Sequence, residues 1–214
     1  MCTYVPPDKA DYIRNLILEF LHAGEITAPQ RQSLGGMLLA LHPAIYLAKL
    51  YVRSLYSEQA CVPLDHEVII PFSQYFTQDL QYWANILKPP LPGRPMRFDS
   101  FRTFLVYSDA SEIGGGSFYR DLISPGAIIP IALQNWSPCV RTASSTHKQI
   151  LQLSEAALAL LNEEKAFVRN STIHLVTDSK SAAADISGMK GAPAIFDKVK
   201  DMHMAAHAAG ARIE

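Results

Sequence analysis

The apolar positions of this chain change their period about halfway along. From Lys9 to His22, residues Ile13, Leu16, Ile17, Phe20 and Leu21 fall three and four apart, the spacing of one helix face. Gly24 stands where a left-handed C-cap belongs. Thr27, with Gln30 three residues on, has the form of a capping box that opens a second helix toward Leu41. Pro43 starts a third helix toward Tyr56, and a fourth begins near Phe72 with Phe76, Leu80, Trp83 and Leu87 on one face. The run Pro89-Pro90-Leu91-Pro92-Gly93-Arg94-Pro95 suits neither a helix interior nor a central strand, and predicts an extended, exposed connector.

Beyond that connector the pattern becomes mixed. Short β-forming runs predict strands over 102–108, 117–120, 127–134 and 172–177, and helical spacing predicts helices over 146–166, 181–187 and 194–208. Three strands in series pair antiparallel. The strand after the long helix returns parallel to the first through a right-handed crossover. The expectation is an all-α region over residues 1–94, then an α/β domain with a mixed sheet and flanking helices over 95–214.

Composition narrows the partners. The 214 residues carry a net charge of −1, so no global basic field announces nucleic acid, and such binding needs a local patch. The longest apolar stretch, 34–52, holds His42, Pro43 and Lys49, which favours buried helices over a membrane span. Cys2, Cys61 and Cys139 are odd in number and scattered, the usage of a reduced intracellular protein, cytoplasmic or nuclear.

Candidate chemistry sits at two strand ends. Phe104-Leu105-Val106-Tyr107-Ser108 runs into Asp109, and Ile173-His174-Leu175-Val176-Thr177 runs into Asp178. On adjacent strands the two carboxylates reach one edge of the sheet, and paired hard oxygens suit Mg²⁺ or Mn²⁺. The competing role for each aspartate is to cap the turn that follows. Gly114-Gly115-Gly116 either lets backbone approach a phosphate or turns the chain into the next strand. Arg141, His147, Lys148 and Lys180 are candidates for backbone contacts with nucleic acid, against the ordinary role of solvated surface charge. His203 and His207 have metal-like spacing but no third ligand, and read as histidines of an amphipathic helix.

The order of elements, with Asp at both strand ends, resembles the ribonuclease H fold. Ser144-Ser145-Thr146-His147-Lys148-Gln149, followed by a Leu/Ala-rich helix, resembles the helix opening of retroelement ribonuclease H domains. Val5-Pro6-Pro7-Asp8-Lys9, Gly24-Glu25-Ile26-Thr27-Ala28 and Gln32-Ser33-Leu34-Gly35-Gly36 resemble the thumb or connection region of DIRS-like reverse transcriptase polyproteins. The resemblance implies metal-dependent hydrolysis of RNA in an RNA–DNA hybrid, with Mg²⁺ or Mn²⁺ as cofactor. It also implies the remainder of a retroelement polyprotein as partner, and no membrane. Asp109 matches the family's first acid and Asp178 its third.

The chain departs from that pattern in three ways. Gln149 stands where the second acid, a Glu, is expected; Glu155, six residues on, reads as a solvated residue of the outer helix face and as the weaker substitute. The fourth acid has no match before Glu214, so the domain reads as C-terminally incomplete. No Tyr/Phe-x-Asp-Asp polymerase signature occurs. The expected activity is therefore impaired hydrolysis, and the alternative is an inactive nucleic-acid-binding or interaction module from a degenerate retroelement.

Overall fold

The structure, a computed structural model, describes residues 2–57, 68–91, 93–95, 102–124, 127–164 and 167–214. The chain divides into two compact units, Met1–Arg97 and Phe98–Glu214. Cys61 lies outside the described residues; Cys2 and Cys139 are free and exposed. No helix among the described residues is long and apolar enough to cross a membrane.

The first unit begins with strand β1 (Cys2–Tyr4) and helix α1 (Pro7–Ala23), which ends on Gly24 at φ 73°. Strand β2 (Glu25–Thr27) leads into α2 (Ala28–Leu39) through the expected capping box: Gln30 N–H donates to Thr27 Oγ1, and Thr27 N–H donates to Gln30 Oε1 at 3.0 Å. The third helix expected from Pro43 is absent as a regular element. Residues 40–49 form successive tight turns, with Ala44 N–H on Leu41 O and Ala48 N–H on Ile45 O. Only a 3-10 turn, Leu50–Val52, and the short α3 (Arg53–Ser57) follow. The segment is apolar at Leu41, Ala44, Ile45, Leu47 and Ala48, all buried, so no single stripe dictates a regular helix. Strand β3 (Ile69–Pro71) pairs with β2, and α4 (Gln74–Ile86) buries Phe76, Leu80 and Trp83 as expected.

Two features of this unit escape pattern reading. Arg31 is fully buried: its Nη2 donates to Ser54 O at 2.9 Å and its guanidinium lies 4.3 Å from the Phe76 ring centroid. The Pro-rich connector is also not free. Its strand β4 (Gly93–Pro95) pairs antiparallel with β1, Tyr4 opposite Gly93. A Cβ at Gly93 would fall on the exposed Tyr4 ring, which would have to turn aside.

The second unit carries strands β5 (Arg102–Ala110), β6 (Gly114–Asp121) and β7 (Ile128–Asn135), the short α5 (Pro138–Arg141), and α6 (Ser145–Glu163). Strand β8 (Ser171–Val176), α7 (Lys180–Ser187), α8 (Pro193–Ala208) and β9 (Arg212–Ile213) complete it. Its five strands lie in the order β7-β6-β5-β8-β9, antiparallel from β5 to β7 and parallel from β5 to β9. This is a mixed sheet with flanking helices in the order that the ribonuclease H resemblance implies. Helix α6 lays Ile150, Leu153, Ala157 and Leu160 on Phe104, Val106, Tyr119 and Ile173, and α8 adds Val199, Met202 and Ala206. At the opposite end of β5 from Asp109, Arg102 pairs with Asp121, its Nε at 2.7 Å. Burial would raise the Asp121 carboxyl, but the guanidinium and the Ile123 N–H outweigh it and hold it below its ordinary range.

Candidate metal-binding site

The site starts from strand register. Strands β5 and β8 pair in parallel from Arg102↔Ser171 to Tyr107↔Val176. Two residues past that last pair, on both chains, stand Asp109 and Asp178. Strand β5 extends further than expected, so Asp109 lies inside it, opposite Gly116 of β6. Asp178 follows the end of β8, just before α7. Both are exposed, and neither carboxylate has a partner among the described residues.

Neighbouring hydroxyls perform the turn-capping that would have given the aspartates an ordinary structural role. Beyond Asp109, Ser111 Oγ accepts Gly114 N–H at 3.1 Å and donates to Gly114 O at 2.9 Å. Around Asp178, Thr177 Oγ1 accepts Ser179 N–H at 3.1 Å, and Ser179 Oγ caps α7 by accepting Ala182 N–H at 3.2 Å. Two exposed carboxylates at matched strand positions are thereby left free of local duty.

Gln149 is placed differently. Cross-strand partners share a sheet face, so Val106, Tyr119, Ser108 and Ser117 face α6, while Tyr107, Phe118 and Asp109 face the other way. The rings of Tyr107 and Phe118 stack there with centroids 4.9 Å apart. Gln149 belongs to the helix layer, 4% exposed, with Oε1 buried and unbonded. Ser108 Oγ, on the strand face turned toward that helix, is likewise buried and unbonded. A glutamine that buries its amide carbonyl without a donor has the shape of the expected acid but not its charge.

Glu155 corrects a sequence expectation. It is half-buried, not solvated, and it accepts a hydrogen bond from Gln134 Nε2 of β7. The same Nε2 donates to Gln152 Oε1 at 3.0 Å, and Gln152 Nε2 donates to Ser117 Oγ at 3.2 Å. Helix α6 crosses the sheet closely enough that its outer flank reaches the edge strand. Lys148 is another correction: it is buried, not offered to a nucleic-acid backbone. Arg141 turns its Nε onto Trp136 O at 3.1 Å. His203 lies on the buried face of α8; its Nε2 is 3.0 Å from Ile186 O, and burial depresses its pKa. Asp185 is half-buried in α7 and Asp201 exposed on α8.

The glycine run packs close. A Cβ on Gly115 would meet Gln152 Oε1 and would come within 2.8 Å of Trp136 Cζ2. All three glycines lie within β6; Gly115 makes room for the helix and the indole, and a Cβ on Gly114 would meet the Gln134 carbonyl oxygen of β7.

Among the described residues no three His, Cys, Asp or Glu side chains come together as a metal-ligand group. The residues that would hold a divalent cation are Asp109 and Asp178, each two residues beyond the last β5–β8 pair. Two hard carboxylate oxygens suit one Mg²⁺ or Mn²⁺ that keeps water in the rest of its shell. They do not suit two such ions.

No family model matches the chain, and no curated protein matches it. Among solved structures it is similar to the foamy viral protease-reverse transcriptase dRH in complex with double-stranded DNA, at 15% identity, covering 99% of this chain and 34% of that one, with a TM-score of 0.36. It is similar to the same viral protein in complex with an RNA/DNA hybrid at 14% identity, 95% and 26% coverage and a TM-score of 0.37. A third structure, with double-stranded DNA, gives 15% identity, 98% and 40% coverage and a TM-score of 0.34. This chain thus spans between about a quarter and two-fifths of the lengths of the structures it matches.

Proposed function

We propose that the second unit is a ribonuclease H-like module of retroelement type that engages an RNA–DNA hybrid through one divalent cation held by Asp109 and Asp178, with hydrolysis strongly reduced. The observation that carries this reading is the pair of unpartnered carboxylates at matched positions of adjacent parallel strands, with serines and a threonine doing the capping. When bound, the cation offsets phosphate charge and polarises a phosphoryl oxygen. The chain's own contribution is two carboxylates, each two residues beyond the last pair of the β5–β8 ladder. Hydrolysis by the two-ion route needs more negative charge than two carboxylates provide, and Gln149 is neutral. The ligand class comes from the resemblance of the segment Ser144 to Gln149, and the hybrid is recognised by shape, phosphates and the 2′-hydroxyl.

The test is Mn²⁺ titration by calorimetry alongside cleavage of a labelled RNA–DNA hybrid. The parent should bind Mn²⁺, and Asp109→Asn and Asp178→Asn should each abolish that binding, while parent cleavage stays slow or absent. Mn²⁺ binding that survives both substitutions unchanged removes the site. Rapid parent cleavage that Glu155→Gln abolishes would instead make Glu155 the missing acid.

A further inference from the structure

We propose that Trp136 is a positioning residue for Asp109, acting through the hairpin turn between β5 and β6; the inference rests on reading Asp109 as a cation ligand. The reason begins with the glycines. Asp109 pairs with Gly116 and Ala110 with Gly115, so the β6 side of this hairpin end has no side chains to hold it. Trp136, directly after β7, replaces them. Its indole Nε1–H donates to Ser111 O at 2.9 Å, and its backbone N–H donates to Ile113 O at 2.9 Å. Its ring fills the space over Gly115. It is itself 4% exposed, and its carbonyl accepts Arg141 Nε from α5. One residue therefore clamps two carbonyls of the turn that follows Asp109, Ser111 O by its indole and Ile113 O by its backbone N–H, and anchors that turn to the edge strand and to α5.

A merely structural tryptophan has a ready comparison in the same protein. Trp83 is fully buried in the first unit and donates its Nε1–H to Tyr51 O, also at 2.9 Å. Replacing either indole by phenylalanine removes one indole hydrogen bond and keeps an aromatic ring. Only the Trp136 change should reach the cation.

The experiment compares the full-length parent, Trp136→Phe, Trp83→Phe and Asp109→Asn. It reads Mn²⁺ affinity by calorimetry, and backbone motion of residues 109–114 by NMR relaxation in metal-free protein. Trp136→Phe should weaken Mn²⁺ binding roughly three- to tenfold, the range expected for one neutral hydrogen bond, and should raise motion at 110–114. Trp83→Phe should lower stability and leave both readouts at parent values. Unchanged Mn²⁺ affinity in Trp136→Phe, where Asp109→Asn abolishes binding, overturns the positioning role and leaves the cation reading intact. If Asp109→Asn binds Mn²⁺ as the parent does, the cation reading falls. The relaxation data then decide alone: increased motion at 110–114 in Trp136→Phe supports the clamp, and unchanged motion overturns it.

Discussion

Gly115→Ala isolates what the glycine run is for. The added methyl would meet Gln152 Oε1 on one side and Trp136 Cζ2 at 2.8 Å on the other. Both neighbours are held: Gln152 by hydrogen bonds to Gln134 and Ser117, Trp136 by bonds to Ser111 and Ile113. Overpacking of this kind costs about 1–3 kcal/mol. Moving Gln152 off its partners adds about 1 kcal/mol for each bond lost. With both Gln152 bonds lost, a total of about 3–5 kcal/mol should appear as a lower urea midpoint for the second unit. The control is Gly36→Ala inside α2, where a Cβ meets nothing within 4 Å. That change should stabilise by about 0.5–1 kcal/mol, because alanine is the better helix former. Gln152→Ala combined with Gly115→Ala should recover part of the loss. A Gly115→Ala protein as stable as the parent would refute the packing account, and would return the glycines to a role in approaching a ligand.

Three further outcomes follow from the same structure. Burial holds His203 below the ordinary histidine pKa of 6.5, so its contribution to stability is fully present above that value and declines as pH falls below it; urea titrations at about pH 7.5 and about pH 5.5 should show a steeper loss in the parent than in His203→Gln, and equal slopes would contradict this. Thr27→Ala breaks the capping box of α2 and should cost about 1 kcal/mol in thermal unfolding of the first unit, with no effect on the second. Gln149→Glu buries a carboxylate in the helix layer, on the sheet face away from Asp109, and should lower the urea midpoint by the same amount with and without Mn²⁺; a loss that saturating Mn²⁺ reverses would join position 149 to the site.

The legible parts of this chain were those where one local rule dominates. Glycine at 24, the Thr27–Gln30 box and the Phe76/Leu80/Trp83 stripe each state a helix boundary or face without help from tertiary contacts. The β-β-β-α-β order was readable because period-2 and period-3.6 runs alternate clearly after residue 101. The misses came where the environment is set by distant segments. Residues 40–49 are buried nearly all round, which erases the stripe that distinguishes a helix from packed turns. Strand β4 exists because β1, some 90 residues away in sequence, lies beside it. For the site, sequence named the two aspartates but had no means of seeing that Ser111, Thr177 and Ser179 relieve them of capping. It also placed Glu155 by helical angle alone. Gln134, the residue that draws Glu155 inward, lies on a strand whose register no local pattern fixes. Trp136 was not singled out at all, although an aromatic directly after a strand, behind three glycines, is a signal of a ring that needs room.

The parallel pairing of β5 with β8 also bears on folding order. Asp109 and Asp178 are 178 − 109 = 69 residues apart in sequence, and α6 lies in the crossover between their strands. The hairpin of β5 and β6 closes over a three-residue turn and can form early, while the β5–β8 ladder waits for a long loop to close. A cation held by both aspartates would bind neither the hairpin nor any collapsed species that lacks the crossover. Metal uptake during refolding would therefore date the arrival of β8, and would turn the two carboxylates into a clock for the slowest contact in the sheet.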